Sequence, residues 1–347
     1  MKRIKIAGRT IGSGYPCFIV AEAGVNHNGN VDLAKKLIDA AKKAGADAVK
    51  FQMFSAEKLV TNAAPKAEYQ RKGIGETQRE MLKKLELGKN DFRILKKYAE
   101  KSKIIFLATP FDEENADFLT RLGVPAIKIG SGDLTNLPLL EHVARKNKPI
   151  ILSTGMGTMQ EVREAVDKIK KSGNEKIILL HCVSSYPARL EDSNLRAIQT
   201  MEKTFYLPVG YSDHTLGITA GVAAVALGAC LIEKHFTLDK KLPGPDHKAS
   251  LEPDELEAMV ARIREVERAM GSWAKRPTKD EDAIKKVVRK SIVAKVNIPM
   301  GTVITGEMLE LKRPGTGLGP KYLEKVVGKM AKKNIRADEL VTLKKLA

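Results

Sequence analysis

Eight short apolar runs, rich in β-branched residues, alternate with amphipathic segments along most of the chain. This alternation is typical of parallel strands joined by crossover helices. The intervening segments have the helical period, and the first is predicted to begin after Asn30 and to end at Lys43, Ala44 and Gly45. Eight strands close a (β/α)8 TIM barrel. The predicted strands are residues 17–22, 47–52, 104–109, 126–131, 149–154, 177–182, 207–212 and 230–235.

An open, doubly wound sheet would show the same alternation of strands and helices. Such a sheet normally has a glycine-rich phosphate loop after its first strand. The segment at this point, AEAGVNHNG, is not a loop of that kind. The pattern therefore favours the closed α/β barrel.

The pattern changes after the eighth run. A long helix is predicted at residues 253–271, and a polar segment that contains proline follows it. Short strands and turns are predicted beyond that segment. We therefore expect a barrel domain at residues 1–272, a linker at 273–284 and a small β-rich domain at 285–347.

Composition places the chain among globular proteins, because 43% of its 347 residues are hydrophobic and 29% are charged. No apolar run reaches the ~20 residues that a membrane-spanning helix needs, and the first residues lack the apolar core of a signal peptide. Cys17, Cys182 and Cys230 lie far apart in apolar surroundings, which favours reduced thiols over disulfides or zinc. We expect a cytoplasmic protein.

The formal net charge of +18 would suit nucleic acid, an acidic membrane surface or an anionic substrate. The lysines are scattered in pairs along amphipathic helices and are interleaved with acidic residues, with few aromatic residues among them. Nucleic-acid binding requires a focused basic face or a stacking platform. We therefore expect a solvated charged surface, and neither nucleic acid nor membrane as a partner.

Polar residues stand at the C-terminal end of every predicted strand. In a TIM barrel these ends form the active site, so polar tips on apolar strands indicate a functional pocket. These residues are Glu22, Lys50, Gln52, Thr109, Lys128, Ser131, Ser153, Thr154, His181, Ser212, Asp213, His214, Glu233 and His235.

Lys50 and Lys128 are unusual near a barrel mouth, because a lysine there needs a compensating anion. The neighbouring segments KIGSGD, LSTG and GYSDH offer hydroxyl and backbone donors that suit a phosphate or a carboxylate. The alternatives are ordinary turn residues or the Schiff-base lysine of an aldolase.

His214 and His235 follow neighbouring strands, so their imidazoles could bind one metal ion. Either histidine alone is more often a hydrogen-bonded core residue. With nitrogen and oxygen ligands and open positions, manganese, magnesium or cobalt(II) is favoured over structural zinc. The metal would act as a Lewis acid.

Together, the motifs AEAGVNHNG, VKFQ, ATPF, KIGSGD, ILSTGM, HCVSSYP, GYSDHT, EKHFT and PGPDH resemble the sialic acid synthase family. RPGTGLGP and NIRADE resemble the antifreeze-like (SAF) domain that follows the barrel in these N-acetylneuraminate synthase-like enzymes. The resemblance covers nearly the whole chain. Its specificity comes from many ordered motifs, since any one of them would mean little.

The resemblance implies a transferase that condenses phosphoenolpyruvate with the open-chain aldehyde of N-acetylmannosamine or a related N-acylated sugar. The products are a nine-carbon 2-keto acid and phosphate. His214 and His235 would bind the metal. The residues that would bind phosphoenolpyruvate by this resemblance are Lys50, Thr109, Lys128, Ser131, Ser153 and Ser212.

The resemblance also implies roles for other residues. Glu22 and Glu233 are the candidates for acid and base, and their roles are not separated at this level. The sugar would contact Gln52, Tyr186, Asp246 and Arg313. Arg313 would reach the sugar in the partner subunit, which implies a domain-swapped homodimer. Without the resemblance, Arg313 would be taken for a surface cation on a turn.

Two positions depart from the family pattern. Ser184 stands where many members have asparagine, and Asp133 stands where many have glutamate. These departures leave open N-acetylmannosamine, its 6-phosphate and the diacetamido-trideoxy hexose of legionaminate- or pseudaminate-type synthases. Residues 64–82 are long enough to form a rim loop that makes this choice.

Two rival functions remain. One is another phosphoenolpyruvate-condensing or aldolase barrel, against which the antifreeze-like tail argues. The other is a carbohydrate- or nucleic-acid-binding protein that has lost catalysis. The presence of both histidines together with Glu22, Lys50 and Lys128 argues against the second rival.

Overall fold

The computed structural model describes residues 2–62, 64–66 and 77–347. The chain divides into two compact units between Gly271 and Ser272. Each unit has a hydrophobic core of its own. Among the described residues, no helix has the length and apolar character needed to cross a membrane.

Eight parallel strands of the first unit close into a barrel, as predicted. Each strand pairs with its sequence neighbours, and the last pairs with the first. The barrel strands are β3 (Phe18–Gly24), β4 (Ala48–Met53), β5 (Ile105–Pro110), β6 (Ile127–Ile129), β7 (Ile150–Ser153), β8 (Ile177–Cys182), β9 (Val209–Asp213) and β10 (Leu231–His235).

Helices connect the strands, and the helix predicted to follow the first strand runs from Val31 to Lys43 with Asn30 as its N-cap. The Asn30 side chain accepts the backbone N–H groups of Asp32 and Leu33, which explains why the helix begins there. The helices of this unit are α1 (Val31–Lys43), α2 (Ala56–Leu59), α3 (Gln78–Leu85), α4 (Lys89–Lys101), α5 (Glu113–Leu122), α6 (Leu137–Ala144), α7 (Met159–Lys171), α8 (Ala197–Phe205), α9 (Thr219–Ala226) and α10 (Pro253–Met270).

Successive residues of each barrel strand face opposite sides, and this alternation places the polar tips. In β10, Leu231 packs inside the barrel, whereas Ile232 packs in the layer between barrel and helices. The next inward positions are Glu233 and His235. The lower barrel interior is therefore apolar, and the inward residues at the C-terminal ends are polar.

A short hairpin precedes the barrel, and the sequence analysis did not predict it. Its strands, β1 (Ile4–Ile6) and β2 (Arg9–Ile11), pair antiparallel. Ile4, Ile6 and Ile11 join the cluster that fills the barrel interior together with Phe18 and Leu231. The hairpin thus extends the apolar core at the end of the barrel opposite the polar tips.

The second unit has an antiparallel pair of strands, β11 (Ser291–Ala294) and β12 (Leu309–Lys312). Its small core includes Ile292, Ile304 and Val326, the last from α12 (Leu323–Val326). The predicted linker at 273–284 is only partly irregular, because α11 (Lys279–Val288) begins within it. Thr278 and Glu281 form a reciprocal capping box, a local signal that the linker prediction overlooked.

Candidate active site

A cavity of about 430 Å³ opens at the C-terminal ends of the barrel strands. Among the residues that line it are all the residues of the first unit to which the sequence analysis assigned a role in catalysis, substrate binding or metal binding. These are Glu22, Lys50, Gln52, Thr109, Lys128, Ser131, Ser153, Tyr186, Ser212, His214, Glu233, His235 and Asp246. They come from seven of the eight barrel strands and from the segments that follow β6, β8, β9 and β10, so the barrel topology brings them together.

Four buried ionisable residues, Glu22, Lys50, Lys128 and Glu233, form what we call the charged floor. Lys50 Nζ lies 2.8 Å from Glu22 Oε2 and 3.6 Å from Glu233 Oε2. Lys128 Nζ lies 3.5 Å from Glu233 Oε1. The two lysines and two carboxylates compensate one another, which offsets part of the cost of burying ionisable groups.

The two carboxylates of the charged floor differ in their electrostatic surroundings. Burial raises the pKa of Glu22, and Lys50 only partly opposes this effect. Burial acts on Glu233 in the same direction, but Lys128 and Lys50 outweigh it and lower the pKa of Glu233. Glu233 is therefore the more firmly ionised carboxylate, and Glu22 the one that takes up a proton more readily.

The two lysines also differ. Burial opposes the charge of Lys50, but Glu22 and Glu233 outweigh it and raise its pKa. Burial lowers the pKa of Lys128, and Glu233 offsets this only in part. An additional anion beside Lys128 would therefore stabilise its charged form.

Hydroxyl groups surround the lysines. Lys50 Nζ donates to Thr109 Oγ1 at 3.0 Å, and Ser212 Oγ donates to Glu233 Oε1 at 3.2 Å. Ser153 Oγ is buried and has no hydrogen-bond partner among the described residues. A buried hydroxyl without a partner is costly, and it is expected to bind a ligand in the cavity.

A glycine keeps this corner of the cavity open. Gly155 N donates to Ser131 Oγ at 3.0 Å. A Cβ atom at Gly155 would lie 2.2 Å from Ser184 Oγ and 2.8 Å from Ser131 Oγ. Any other residue would therefore displace two of the side chains that line the cavity.

His214 and His235 lie beside the charged floor, with their ring centroids 5.5 Å apart. His214 Nδ1 lies 2.7 Å from the Val183 carbonyl, so it donates there. His214 Nε2 then accepts from the Tyr186 hydroxyl at 2.9 Å. In the neutral tautomer that these partners imply, Nε2 carries the lone pair that a metal ion would use, and the Tyr186 hydroxyl occupies it in this structure.

His235 Nδ1 is buried without a hydrogen-bond partner among the described residues. The nearest carboxylate oxygen, Asp246 Oδ2, lies 3.9 Å away. Burial and the neighbouring His214 hold the pKa of His235 well below its ordinary value, and burial raises the pKa of Asp246 to about 6. A neutral imidazole with an available lone pair is a suitable metal ligand.

Within the described ranges, no group of three or more histidine, cysteine or acidic residues is arranged to hold a metal ion. The unpartnered Nδ1 of His235 and the neighbouring His214 nevertheless fit a divalent ion with two nitrogen ligands. Its remaining positions would be open to oxygen atoms of water or substrate, as in catalytic rather than structural sites.

One side of the cavity is apolar. We call this side the apolar wall, and it is formed by Val25, Phe54, Leu59, Leu82 and Phe111. They pack together with Met81 and Leu85, which are more deeply buried and also line the cavity. Sequence reasoning missed this wall, although the segments QMF and TPF place aromatic residues directly after β4 and β5.

Three polar residues at strand ends do not line the cavity. Thr154, His181 and Asp213 point away from it, because each is one position out of phase with an inward residue. Thr154 Oγ1 donates to the Leu180 carbonyl, and His181 Nε2 contacts the Ser193 carbonyl. Cys182, which the sequence analysis did not include in the site, lines the cavity. Period-two counting along each strand would have identified these positions.

The remaining predicted positions lie elsewhere. Arg313 belongs to the second unit, where it is exposed, and its role stays a prediction. Asp133 is half-buried and accepts from Asn136 Nδ2 at 2.9 Å. Of the predicted rim segment 64–82, residues 67–76 lie outside the described residues, whereas Gln78 and Leu82 of α3 line the cavity.

Residues 37–275 match the model of the NeuB family, and this match spans most of the barrel. The chain belongs to the NeuB family. Residues 289–347 match the SAF domain, so the second unit is the antifreeze-like domain that the motifs indicated. The resemblance to sialic acid synthases is confirmed, and the chain is a phosphoenolpyruvate-dependent synthase that forms a carbon–carbon bond.

Relatives in the NeuB family differ in the product for which they are named. The N,N'-diacetyllegionaminic acid synthase of Legionella pneumophila is 50% identical over 94% of this chain and 93% of its own length. The human N-acetylneuraminate-9-phosphate synthase is 43% identical over 96% of this chain and 94% of its own. An N-acetylneuraminic acid synthetase of Leptospira borgpetersenii, solved with citrate, is 39% identical with a TM-score of 0.74, covering 82% of this chain and 95% of that one.

Proposed function

We propose that the enzyme condenses phosphoenolpyruvate with the open-chain aldehyde of N-acetylmannosamine or a related N-acylated sugar. The observation that carries this proposal is the charged floor beside two histidines in one cavity. Water is the third reactant, and the products are a nine-carbon 2-keto acid and inorganic phosphate.

The phosphate and carboxylate of phosphoenolpyruvate would bind between Lys50 and Lys128. The free hydroxyl of Ser153 and the low pKa of Lys128 support this assignment, because both would gain from an anion. Thr109, Ser131 and Ser212 offer further hydroxyl groups around the lysines. Gly130 and Gly132 also line the cavity.

The aldehyde would lie beside His214 and His235, which would hold a divalent metal ion, most suitably manganese, with magnesium or cobalt as alternatives. When bound, this ion supplies Lewis-acid polarisation of the aldehyde oxygen. Tyr186, Gln52 and Asp246 line the cavity around the histidines and offer hydrogen bonds to sugar hydroxyls. Their positions would hold the aldehyde carbon near the methylene carbon of the enol.

The charged floor would provide the proton transfers. The aldehyde oxygen gains a proton when the carbon–carbon bond forms, and Glu22 is the better donor because burial raises its pKa. Water then attacks the former enol carbon and loses a proton, and phosphate leaves. Glu233 is the better base, since the two lysines keep it ionised beside the phosphate side of the cavity.

The direct test is phosphate release from phosphoenolpyruvate with N-acetylmannosamine and manganese, with mass spectrometry of the acid product. A chelator should abolish release, and added manganese should restore it. Absence of release with N-acetylmannosamine, its 6-phosphate and a diacetamido-trideoxy hexose alike would refute the proposed reaction. Phosphate release that persists in the presence of the chelator would refute only the proposed metal requirement.

A second candidate substrate is the diacetamido-trideoxy hexose, as used by legionaminate-type synthases. The apolar wall favours this sugar over N-acetylmannosamine 6-phosphate. Transfer of its deoxy carbons and acyl methyl groups from water to an apolar surface is favourable, whereas transfer of a phosphate costs free energy of hydration. The relative from Legionella pneumophila supports the same choice. Comparison of kcat/KM for the three sugars decides between them.

We also propose a homodimer in which Arg313 contacts the sugar bound by the partner subunit. The proposal rests on the family resemblance of the KRPG segment and on the exposure of Arg313. Mass measurement by light scattering tests the dimer. Mixed dimers of Arg313→Ala and Glu233→Gln chains test the exchange, since they should regain activity only if Arg313 acts across subunits.

A further inference from the structure

A buried ion pair lies on the outer side of the barrel, behind the two histidines. Lys234 Nζ lies 2.9 Å from Asp213 Oδ2, and both side chains are 0% exposed. Lys234 and Asp213 are direct partners in the pairing of β10 with β9. The pair therefore joins two neighbouring strands at one level, on the face that packs against the helices.

The residues on either side of this pair belong to the active site. Ser212 and His214 flank Asp213, whereas Glu233 and His235 flank Lys234. All four flanking residues line the cavity. Because side chains alternate along a strand, the outward ion pair and the inward site residues are set by the same backbone positions.

Thr215 extends the ion pair into a network. Asp213 Oδ1 accepts from Thr215 N at 2.9 Å and from Thr215 Oγ1 at 2.8 Å. Lys234 Nζ also donates to the Thr215 carbonyl. The ion pair thus holds the backbone on both sides of His214.

The same backbone connects to Tyr186, whose hydroxyl contacts His214. Ala188 N donates to the His214 carbonyl at 2.9 Å, and Ala188 pairs with Thr215 in a parallel bridge. Ala188 follows Tyr186 by two residues. The network therefore orders the loop after β8 and the strand end of β9 as one assembly.

Stability alone does not account for this network. Burying two charges carries a desolvation cost, and well-packed apolar residues often replace such a pair with equal or greater stability. The space behind Asp213 is also tight, because a Cβ atom at Gly221 of α9 would lie 3.4 Å from Asp213 Oδ2. In some proteins, buried polar pairs define a single register, because only one arrangement satisfies them.

We propose that Asp213 and Lys234 are positioning residues that hold His214 and His235 in register for metal binding. The inference rests on the metal site of the proposed function. It assigns no chemical step to the pair, because neither side chain lines the cavity. The effect acts through the backbone of β9 and β10 and through Thr215.

The test is the double variant Asp213→Asn with Lys234→Met, which removes both charges and leaves none unpaired. We expect a folded protein whose dissociation constant for manganese, titrated by electron paramagnetic resonance, rises about tenfold or more. Binding of phosphoenolpyruvate to the metal-free protein should weaken far less than manganese binding, because Lys50 and Lys128 lie on other strands and only Ser212 of the proposed anion site adjoins the pair. A purely structural role would leave the manganese constant unchanged, and that result in a folded variant would overturn the proposal.

The matched control is Lys146→Met with Asp117→Asn, which removes a Lys–Asp ion pair that is partly exposed and lies outside the active site. Its manganese binding should equal that of the wild type; an equal loss in the control would overturn the positioning role. If the double variant does not fold, Thr215→Val removes only the hydroxyl donor to Asp213. An increase of about threefold in the manganese constant of that variant would support the proposal, and no change would overturn it.

Failure of the proposed metal site is distinguishable from failure of this inference. If the wild type binds no manganese, the metal assignment is wrong. The positioning role is then measured by nitrogen chemical shifts of the His214 and His235 rings. Altered ring tautomers or hydrogen bonds in the double variant would support it, and unchanged shifts would overturn it.

Discussion

The charged floor and the apolar wall face the same cavity but are built in different ways. The floor comes from β3, β4, β6 and β10, whose backbones are fixed by pairing on both sides. The wall comes from connecting segments and from the short helices α2 and α3. Strands hold charged groups within narrow limits, whereas loops and short helices vary with little effect on the barrel.

This difference assigns different tasks to the two regions. Proton transfer and anion binding require the distances between charged groups to be held within a few tenths of an ångström. Side chains on the strands meet this requirement. Selection of the sugar depends on the shape and polarity of the rim. Changes to the floor should therefore abolish the reaction with every sugar, and changes to the wall should alter the order of preference among sugars.

The largest expected effect is that of Lys50→Met in the charged floor. It leaves Glu22 and Glu233 buried without their shared cation, so the free energy of unfolding should fall by about 3–5 kcal/mol. Phosphate release should fall by about a thousandfold or more with all three sugars. Urea denaturation and steady-state kinetics measure the two effects. Lys97→Met, at an exposed position on α4, is the matched control and should change neither.

The next prediction separates the two carboxylates of the charged floor. Glu233→Gln should lower kcat by about 10²–10⁴-fold, because glutamine cannot accept a proton from water. Glu22→Gln should lower kcat less, because the bound metal would still polarise the aldehyde oxygen when Glu22 no longer donates a proton. An equal loss in the two variants, measured by phosphate release at saturating substrates, would contradict the separate roles.

The apolar wall should respond to an added cation. Leu82→Arg should raise kcat/KM for N-acetylmannosamine 6-phosphate relative to the diacetamido-trideoxy hexose by about 10–100-fold, the range of a charged hydrogen bond. Leu82→Gln is the uncharged control and should change this ratio far less. If both variants lost activity equally with every sugar, the wall would belong to the same functional unit as the floor.

The smallest expected effect concerns Ser184, which lines the cavity beside Gly155. The Ser184 hydroxyl already fills the space beside Gly155, because a Cβ atom added to Gly155 would lie 2.2 Å from Ser184 Oγ. The longer side chain of an asparagine at position 184 would therefore extend into the cavity. Ser184→Asn should lower kcat/KM for the larger diacetamido sugar by about fivefold and leave N-acetylmannosamine nearly unchanged. Ser185→Asn, at the exposed neighbouring position, should affect neither sugar.

Much of the barrel was predictable because its signals are local. All eight predicted strands are present, with ends that differ by up to two residues, as at β6 (Ile127–Ile129). The hairpin of β1 and β2 was missed because its strands are too short to show a clear alternation. The helix α11 was missed because a proline-containing polar segment outweighed its capping box.

The active site was predictable in its residue types and less so in their orientation. Lysines, histidines and carboxylates at strand ends are visible in the sequence, and the barrel topology places strand ends at one rim. Whether a residue faces inward depends on the phase of each strand. That phase separates Cys182, which lines the cavity, from His181, which faces outward.

The sequence alone determined the alternation of strands and helices, the number of barrel strands and the set of polar residues at their ends. These depend on neighbours along the chain. The tertiary structure decided that Lys50 lies between two carboxylates, that Asp213 pairs with Lys234 outside the barrel, and that an apolar wall faces the charged floor. The physical reason is that burial and charge compensation arise between residues far apart in sequence, and only closure of the barrel brings those residues within contact distance.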